Sequence, residues 1–238
     1  MEYPEITILV PTYDRHKFLP LFVMNLKSQT YPANRLKLII ADDFEHGRFI
    51  TDIDAFKKEV HPIDVTYLQT NKRLSIGEKR NNLVKHCKTN IFCFLDDDDV
   101  YFPSYIEHSY ETLRDNNLLK CGCVGSDKMI FCMTQKDYAV HAIDCGDTKR
   151  LIHEATMMMT KKFYRASCKF TNNSRGEGAD IFTGMESRVA FTDINRVMMC
   201  VQHGGNTVEK LQFAREDNRL PVEISDQMRE ILENIFKK

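Results

Sequence analysis

The chain has 238 residues, with 33 lysines and arginines against 34 aspartates and glutamates. That length supports one sizeable core without requiring two domains, and a net charge near zero argues against a broad nucleic-acid or membrane-surface binder. No stretch approaches the ~18–20 apolar residues that cross a bilayer, and the opening MEYPEITILV lacks the basic-then-apolar pattern of a secretory signal.

In chain order, EITILVPTY (5–13) reads as a strand rich in β-branched residues that stops at Pro11. HKFLPLFVMNLKSQ (16–29) has helical apolar spacing, with Pro20 acceptable only in the first turn. LKLIIADD (36–43) is a second strand, TDIDAFKKEV (51–60) a helix with Thr51 as cap, and IDVTYLQ (63–69) a third strand. SIGEKRNNLVKHC (75–87) is a helix opened by Ser75, and NIFCFL (90–95) a fourth strand. Strands that are apolar on both faces and separated by helices imply a parallel sheet covered on two sides.

After Pro103, SYIEHSYETLRDNN (104–117) is a helix, and LLKCGCVGSDKMIFCM and YAVHAI read as longer antiparallel strands. EATMMMTKKFYRAS (154–167) is a strand entering a short helix, and FTNNSRGEGAD (170–180) opens another helix. RVMMCVQHGGNTV (196–208) is a strand running into a glycine-rich loop. EISDQMREILENIFKK (223–238) is an amphipathic helix capped by Ser225. The expected organisation is a single α/β domain: a nucleotide-binding half over about 1–100, an acceptor-binding half over about 101–210, and the C-terminal helix.

Eight cysteines, at 87, 93, 121, 123, 132, 145, 168 and 200, contain no C-x-x-C pair and mostly lie inside apolar runs. Reduced, mostly buried thiols in a cytoplasmic compartment are expected. Cys121 and Cys123, the one close pair, fall on one face of a strand by spacing.

Ligands in a parallel sheet bind beyond the carboxyl ends of the strands. The polar clusters TYDR, ADDFEHG and DDDD fall at those ends. Four adjacent acids, Asp96, Asp97, Asp98 and Asp99, are more than a helix cap needs, and they repel one another unless something positive meets them. An oxygen-only cluster of this kind suits a hard divalent cation, Mg²⁺ or Mn²⁺, shared with substrate phosphates.

These segments together resemble the nucleotide-sugar glycosyltransferases of GT-A fold, specifically family 2. FLDDDD matches the D-x-D motif, ILVPTYDR the opening strand and loop, IIADD the second strand, and GEKRN the basic helix. The resemblance covers about residues 5–208 and implies a Rossmann-like, mostly parallel sheet with a small antiparallel part. It implies an inverting transfer from a nucleotide diphosphate donor, UDP-linked in preference, to a hydroxyl of a carbohydrate or glycosylated acceptor. Pro11, Thr12, Asp14 and Arg15 are implied near the nucleotide, and Asp42 against the nucleoside; a solvated turn is the alternative for Asp43. Lys79 and Arg80 are implied to neutralise the diphosphate or order the pocket, Arg80 with the better claim because its planar fork grips an anion bidentately.

Aligned on the family motif, Asp96 contacts the ribose or base, Asp97 takes the variable position, and Asp98 holds the metal. Asp99 ligates, holds a water or caps the next helix, and His203 in QHGGNT completes the metal site or makes a local turn. The chain departs from the family where a catalytic aspartate is implied, because RGEGAD carries Gly178 there. Glu177 becomes the expected base, Asp180 the alternative, and Glu154 a residue of the acceptor pocket. Two rival functions fit less of the sequence. A nucleotidyltransferase normally has a glycine-rich loop after its first strand, which PTYDRHKFLP lacks, and a non-catalytic sugar-nucleotide binder is favoured only by the missing aspartate.

Overall fold

The computed structural model of the protein describes residues 3–117, 120–145, 152–207 and 211–236. Strands β1 (Ile6–Thr12), β2 (Leu36–Asp43), β3 (Asp64–Thr70) and β4 (Ile91–Phe94) alternate with helices α1 (Leu19–Ser28), α2 (Ile53–Glu59) and α3 (Ile76–His86). Next come β5 (Val100–Tyr101), α4 (Tyr105–Asp115), β6 (Cys123–Gly125), β7 (Lys128–Met133), β8 (Ala139–Asp144), β9 (Met158–Thr160) and α5 (Lys161–Ala166). β10 (Val189–Phe191), β11 (Met198–Gln202) and α6 (Asp226–Phe236) follow.

The main sheet has the order β10-β6-β9-β4-β1-β2-β3. β1 sits between β2 and β4, and these pairs and β2–β3 are parallel, while β9 runs antiparallel to both β4 and β6. Successive residues of the central strands feed opposite faces. Ile6, Ile8 and Val10 join one apolar cluster with α1, α2, α4 and α6, whereas Leu9, Phe92 and Phe94 join another with α3 and α5. That two-sided burial is why these segments read as continuous apolar runs. A second sheet, ordered β5-β11-β7-β8, packs onto the first cluster.

Four local expectations change. α2 starts at Ile53, so its cap is Asp52, whose side chain accepts the Ala55 N–H, and not Thr51. The segment 170–180 forms no helix; Gly176 and Gly184 have φ of +61° and +75°, and successive four-residue turns run from Gly176 to Met185 instead. Left-handed glycines interrupt a helical run that other residues would continue. The first of the two long antiparallel strands is broken at Ser126, whose N–H goes to Thr156 Oγ1 at 2.8 Å, so β6 stays in the main sheet and only β7 pairs antiparallel with β8. Cys121 precedes β6 and lies in a different apolar cluster from Cys123. Burial of the thiols does follow expectation: Cys87, Cys93, Cys121, Cys123, Cys132 and Cys200 are buried. Among the described residues, no helix is long and apolar enough to cross a membrane.

α1 carries a buried asparagine that fixes the acidic turn. Asn25 Nδ2 donates to the Asp99 carbonyl at 2.8 Å, and Asn25 Oδ1 accepts the Tyr101 N–H at 3.0 Å. Asn25→Ala is expected to lower unfolding stability by at least about 2 kcal/mol, since each buried group left without a partner costs about 1–3 kcal/mol. Urea titration measures this, and a change below about 0.5 kcal/mol would show that both groups find other partners.

Candidate active site

A cavity of about 680 Å³ opens beyond the carboxyl ends of the parallel strands, within the usual size for a small-molecule site. All four acids after β4 line it, together with Pro11, Thr12, Asp14, Arg15, Lys79, Arg80, Glu154, Glu177 and His203. Arg15 Nη1 lies 2.8 Å from Asp98 Oδ2, and His203 Nε2 reaches the same oxygen at 3.0 Å. The Gly205 N–H donates to His203 Nδ1 at 3.0 Å, which places the ring proton on Nε2. His203 therefore donates to Asp98 and orients it, with Arg15 Nη1 standing 3.2 Å from the same ring nitrogen. Phe18 and Phe236 form a three-ring cluster with the imidazole, their centroids 4.9 and 5.3 Å from it and 5.8 Å from each other.

The other acids have separate anchors. The Asp97 carboxylate accepts from Thr12 Oγ1 and is held well above the usual carboxylate range, first by burial and then by the charge of Asp98. Asp99 Oδ1 accepts the Val201 N–H at 2.8 Å and ties the turn to β11. Asp96 is the most open, with 28 % of its side chain exposed, and it faces Arg80 Nη2 at 3.2 Å. Arg80 is only 3 % exposed and also donates Nε to Glu177 Oε1 at 3.1 Å. Burial works against its charge, but Asp96, Glu177 and Glu154 outweigh that and raise its pKa. Its guanidinium lies over the Phe94 ring, 4.6 Å from the centroid.

Lys79 is buried too. Its Nζ donates to the Thr12 carbonyl at 2.8 Å and pairs with Asp43, so it orders the ends of β1 and β2. Asp43 also accepts the Leu74 N–H at 2.6 Å, so it is a buried anchor and not a solvated turn. Asp14 has φ +50°, and its Oδ1 accepts the N–H groups of Glu45, His46 and Gly47. Burial opposes ionisation there, but these three donors hold its pKa below the usual carboxylate range. Two expected residues stay outside the cavity wall. Asp42 is 1 % exposed, with its carboxylate on the Tyr67 hydroxyl and the Phe49 N–H, and Asp180 is solvent-exposed.

Sequence reasoning misses an exposed basic rim made by Lys17, Arg73 and Arg175. Arg73 lies over the Tyr13 ring at 4.2 Å. The available signal is the basic TNKRLS segment just before the α3 cap, at a strand's carboxyl end.

A sequence profile for glycosyl transferase family 2 matches residues 7–176. The chain belongs to glycosyl transferase family 2. It is 26 % identical over 111 residues to an uncharacterized glycosyltransferase of Haemophilus influenzae, covering 47 % of this chain and 35 % of that protein. It is 25 % identical over 111 residues to the poly(ribitol-phosphate) beta-N-acetylglucosaminyltransferase TarS of Staphylococcus aureus, covering 47 % of this chain and 18 % of TarS. The chain thus matches about a third or less of the length of these relatives. Among solved structures, TarS residues 1–349 with UDP align at TM-score 0.64, 12 % identity, 97 % of this chain and 64 % of that one. A mannosyltransferase of Pyrobaculum calidifontis in complex with GDP-Man and Mn²⁺ aligns at TM-score 0.62, 17 % identity, 85 % of this chain and 57 % of that one. These alignments establish the GT-A type of fold.

The family 2 match stops one residue before Glu177, so that side chain, on a loop with residues 171–176, is placed by the structure alone. Its docking depends on Gly77 in the first turn of α3. The Gly77 N–H donates to the Asn173 carbonyl at 2.9 Å, and a Cβ at Gly77 would stand 1.8 Å from the Thr171 carbonyl oxygen. Gly77→Ala is therefore expected to displace residues 171–177 and part Glu177 from Arg80. Hydrogen exchange should rise at least about tenfold across that segment while β1 and β2 stay protected; unchanged exchange at 171–177 would refute the docking role.

Proposed function

We propose that this family 2 chain moves a sugar from a nucleoside diphosphate donor, UDP-linked in preference, to a hydroxyl of a carbohydrate or glycosylated acceptor, with inversion at the anomeric carbon. The observation that carries this reading is the meeting of a basic rim and an acidic floor in one cavity. Lys17, Arg73 and Arg175 draw in a diphosphate, which the acids beneath would repel if left alone. The UDP preference is supported by the TarS complexes with UDP and UDP-GlcNAc, and GDP stands as the alternative to be measured.

The donor set fits Mn²⁺ or Mg²⁺. A carboxylate oxygen of Asp98 already receives a cationic group, the Arg15 guanidinium, and a hard divalent ion takes one or two carboxylates plus substrate oxygens. Asp98 would hold the ion, with His203 keeping that carboxylate oriented from behind. When bound, the ion offsets the charge that gathers on the departing diphosphate. Arg15, displaced from Asp98, is then placed to meet a phosphate oxygen, since its Nη2 remains tethered to the Gly205 carbonyl at 2.8 Å. Arg80 fixes Asp96, the most open acid, toward the ribose.

Inversion requires the acceptor oxygen to attack opposite the diphosphate while its proton passes to a carboxylate. The wall that carries Glu154 and Glu177 is where such a group stands; Asp180, exposed and away from the cavity, is not placed for it.

Calorimetry of the chain with UDP-, GDP- and dTDP-sugars, with and without Mn²⁺, tests the reading. Mn²⁺ is expected to tighten UDP-sugar binding, and Asp98→Asn to weaken the Mn²⁺-dependent part by more than the about 10–100-fold that loss of an outer-shell partner costs. The circular dichroism spectrum should not change. Equal donor affinity with and without Mn²⁺ in the wild-type chain would remove the metal from the account, and release of pyrophosphate from a nucleoside triphosphate would favour a nucleotidyltransferase.

A further inference from the structure

We propose that Glu154 is the general base of this sugar transfer and that Glu177 is a positioning residue acting through Arg80. This rests on the sugar-transfer reading above. The space beside Gly178 decides it. A Cβ built on Gly178 would stand 2.7 Å from Glu154 Cγ and 2.9 Å from Glu154 Oε1, closer than real Cβ contacts come. The volume that a side chain at position 178 would need is already filled by a carboxylate from elsewhere in the chain. The Gly178 N–H donates to Glu154 Oε1 at 3.2 Å and holds it there, on the cavity wall.

The turn beneath Glu154 is well fixed. The His153 N–H donates to the Ser126 carbonyl at 3.0 Å, and Thr156 returns both its N–H, at 3.0 Å, and its hydroxyl, at 2.7 Å, to the His153 carbonyl. The Tyr101 hydroxyl accepts the Asp96 N–H at 2.9 Å and donates to the Ala155 carbonyl at 3.1 Å. One phenol therefore sets the acid turn and the Glu154 turn at a constant separation. A base on such a platform needs little reordering when an acceptor arrives.

Glu177 is placed for different work. Its Oε1 accepts from Arg80 Nε at 3.1 Å and its side chain is 7 % exposed, so taking up a proton would leave a buried guanidinium short of its counter-charge. Among the described residues, Glu154 is ion-paired with no lysine or arginine. Burial, and next the negative charge of Glu177, push the Glu154 carboxyl above its ordinary pKa, against the pull of Arg80, which suits it to take up a proton. As the acceptor oxygen bonds to the anomeric carbon, its proton passes to the Glu154 carboxylate. The bond from that carbon to the diphosphate oxygen breaks, and its electron pair leaves with the nucleoside diphosphate.

The test uses the UDP-sugar that the wild-type chain binds best, with water and a panel of aryl glycosides as acceptors, and reads nucleoside diphosphate release alongside donor affinity by calorimetry. Glu154→Gln is expected to lower kcat at least about 100-fold, with donor affinity within about threefold of wild type. Glu177→Gln is expected to lose donor affinity along with turnover, as a residue acting through Arg80 should. In Glu154→Ala, adding Gly178→Asp puts a carboxylate back into the vacated space, and the double variant should exceed the single Ala variant at least about tenfold in kcat.

Three results overturn the proposal: kcat of Glu154→Gln within about threefold of wild type, a parallel loss of donor binding in that variant, or no gain in a double variant that still binds donor. A wild-type chain that binds donor yet releases no nucleotide with any acceptor would instead defeat the sugar-transfer reading itself, and the proposal with it.

Discussion

The site depends on one buried cation. Arg80, 3 % exposed, stands between Asp96 at the end of β4 and Glu177 on the far wall, with the Phe94 ring beneath it. A guanidinium held out of water is costly unless its counter-charges are close, and the same cost falls on each carboxylate if the guanidinium is lost. The sheet and the loop 171–177 are thus bound to each other through charge as well as packing. Lys79, one residue earlier, makes the equivalent connection between the ends of β1 and β2 through Thr12 and Asp43. Adjacent positions on a helix point about 100° apart, which lets α3 secure three strand ends, those of β1, β2 and β4, with two consecutive side chains.

The four aspartates illustrate how a run of identical residues divides its work. Asp99 supports β11, Asp97 is held against Thr12, Asp98 gathers Arg15 and His203, and Asp96 faces Arg80. Each carboxylate points along a different direction of the tight turn and meets a partner from a different element, so four acids are not redundant copies of one ligand. Repulsion among them is limited because two cations, Arg15 and Arg80, together with the Thr12 hydroxyl, the Val201 N–H and the His203 ring arrive from separate elements. The exposed basic rim completes the balance on the solvent side.

Much of the fold is legible in the sequence because two-sided burial leaves a plain mark: Ile8 to Val10, Leu38 to Ala41 and Phe92 to Leu95 carry apolar residues without alternation. The placing of polar residues at strand ends is legible for the same reason, since an apolar run has to stop where the sheet does. What is not legible depends on partners distant in sequence. Asp99 meets the N–H of Val201, and Asp98 meets His203, so the division of the acid run waits on the fold of the second half. Glu154 reads as a residue of the acceptor pocket, and its place beside Gly178 appears only once that loop is laid against it. The 170–180 segment reads as the opening of a helix, but left-handed Gly176 within it and Gly184 beyond it decide otherwise. Asp52 and Thr51 differ as caps by a single residue, a margin finer than helix-start signals resolve.

The phenol of Tyr101 has a consequence for the choice of acceptor. A ring is a stiff spacer, and this one is buried at 1 % exposure with both lone-pair and proton committed. The acid turn and the Glu154 turn cannot spread apart at that point without forfeiting both bonds. In the sugar transfer proposed above, tolerance toward large acceptors would arise at the cavity's edges, in the turns around Ser174 to Gly176 and Gly205 to Thr207, with the floor serving as a fixed ruler.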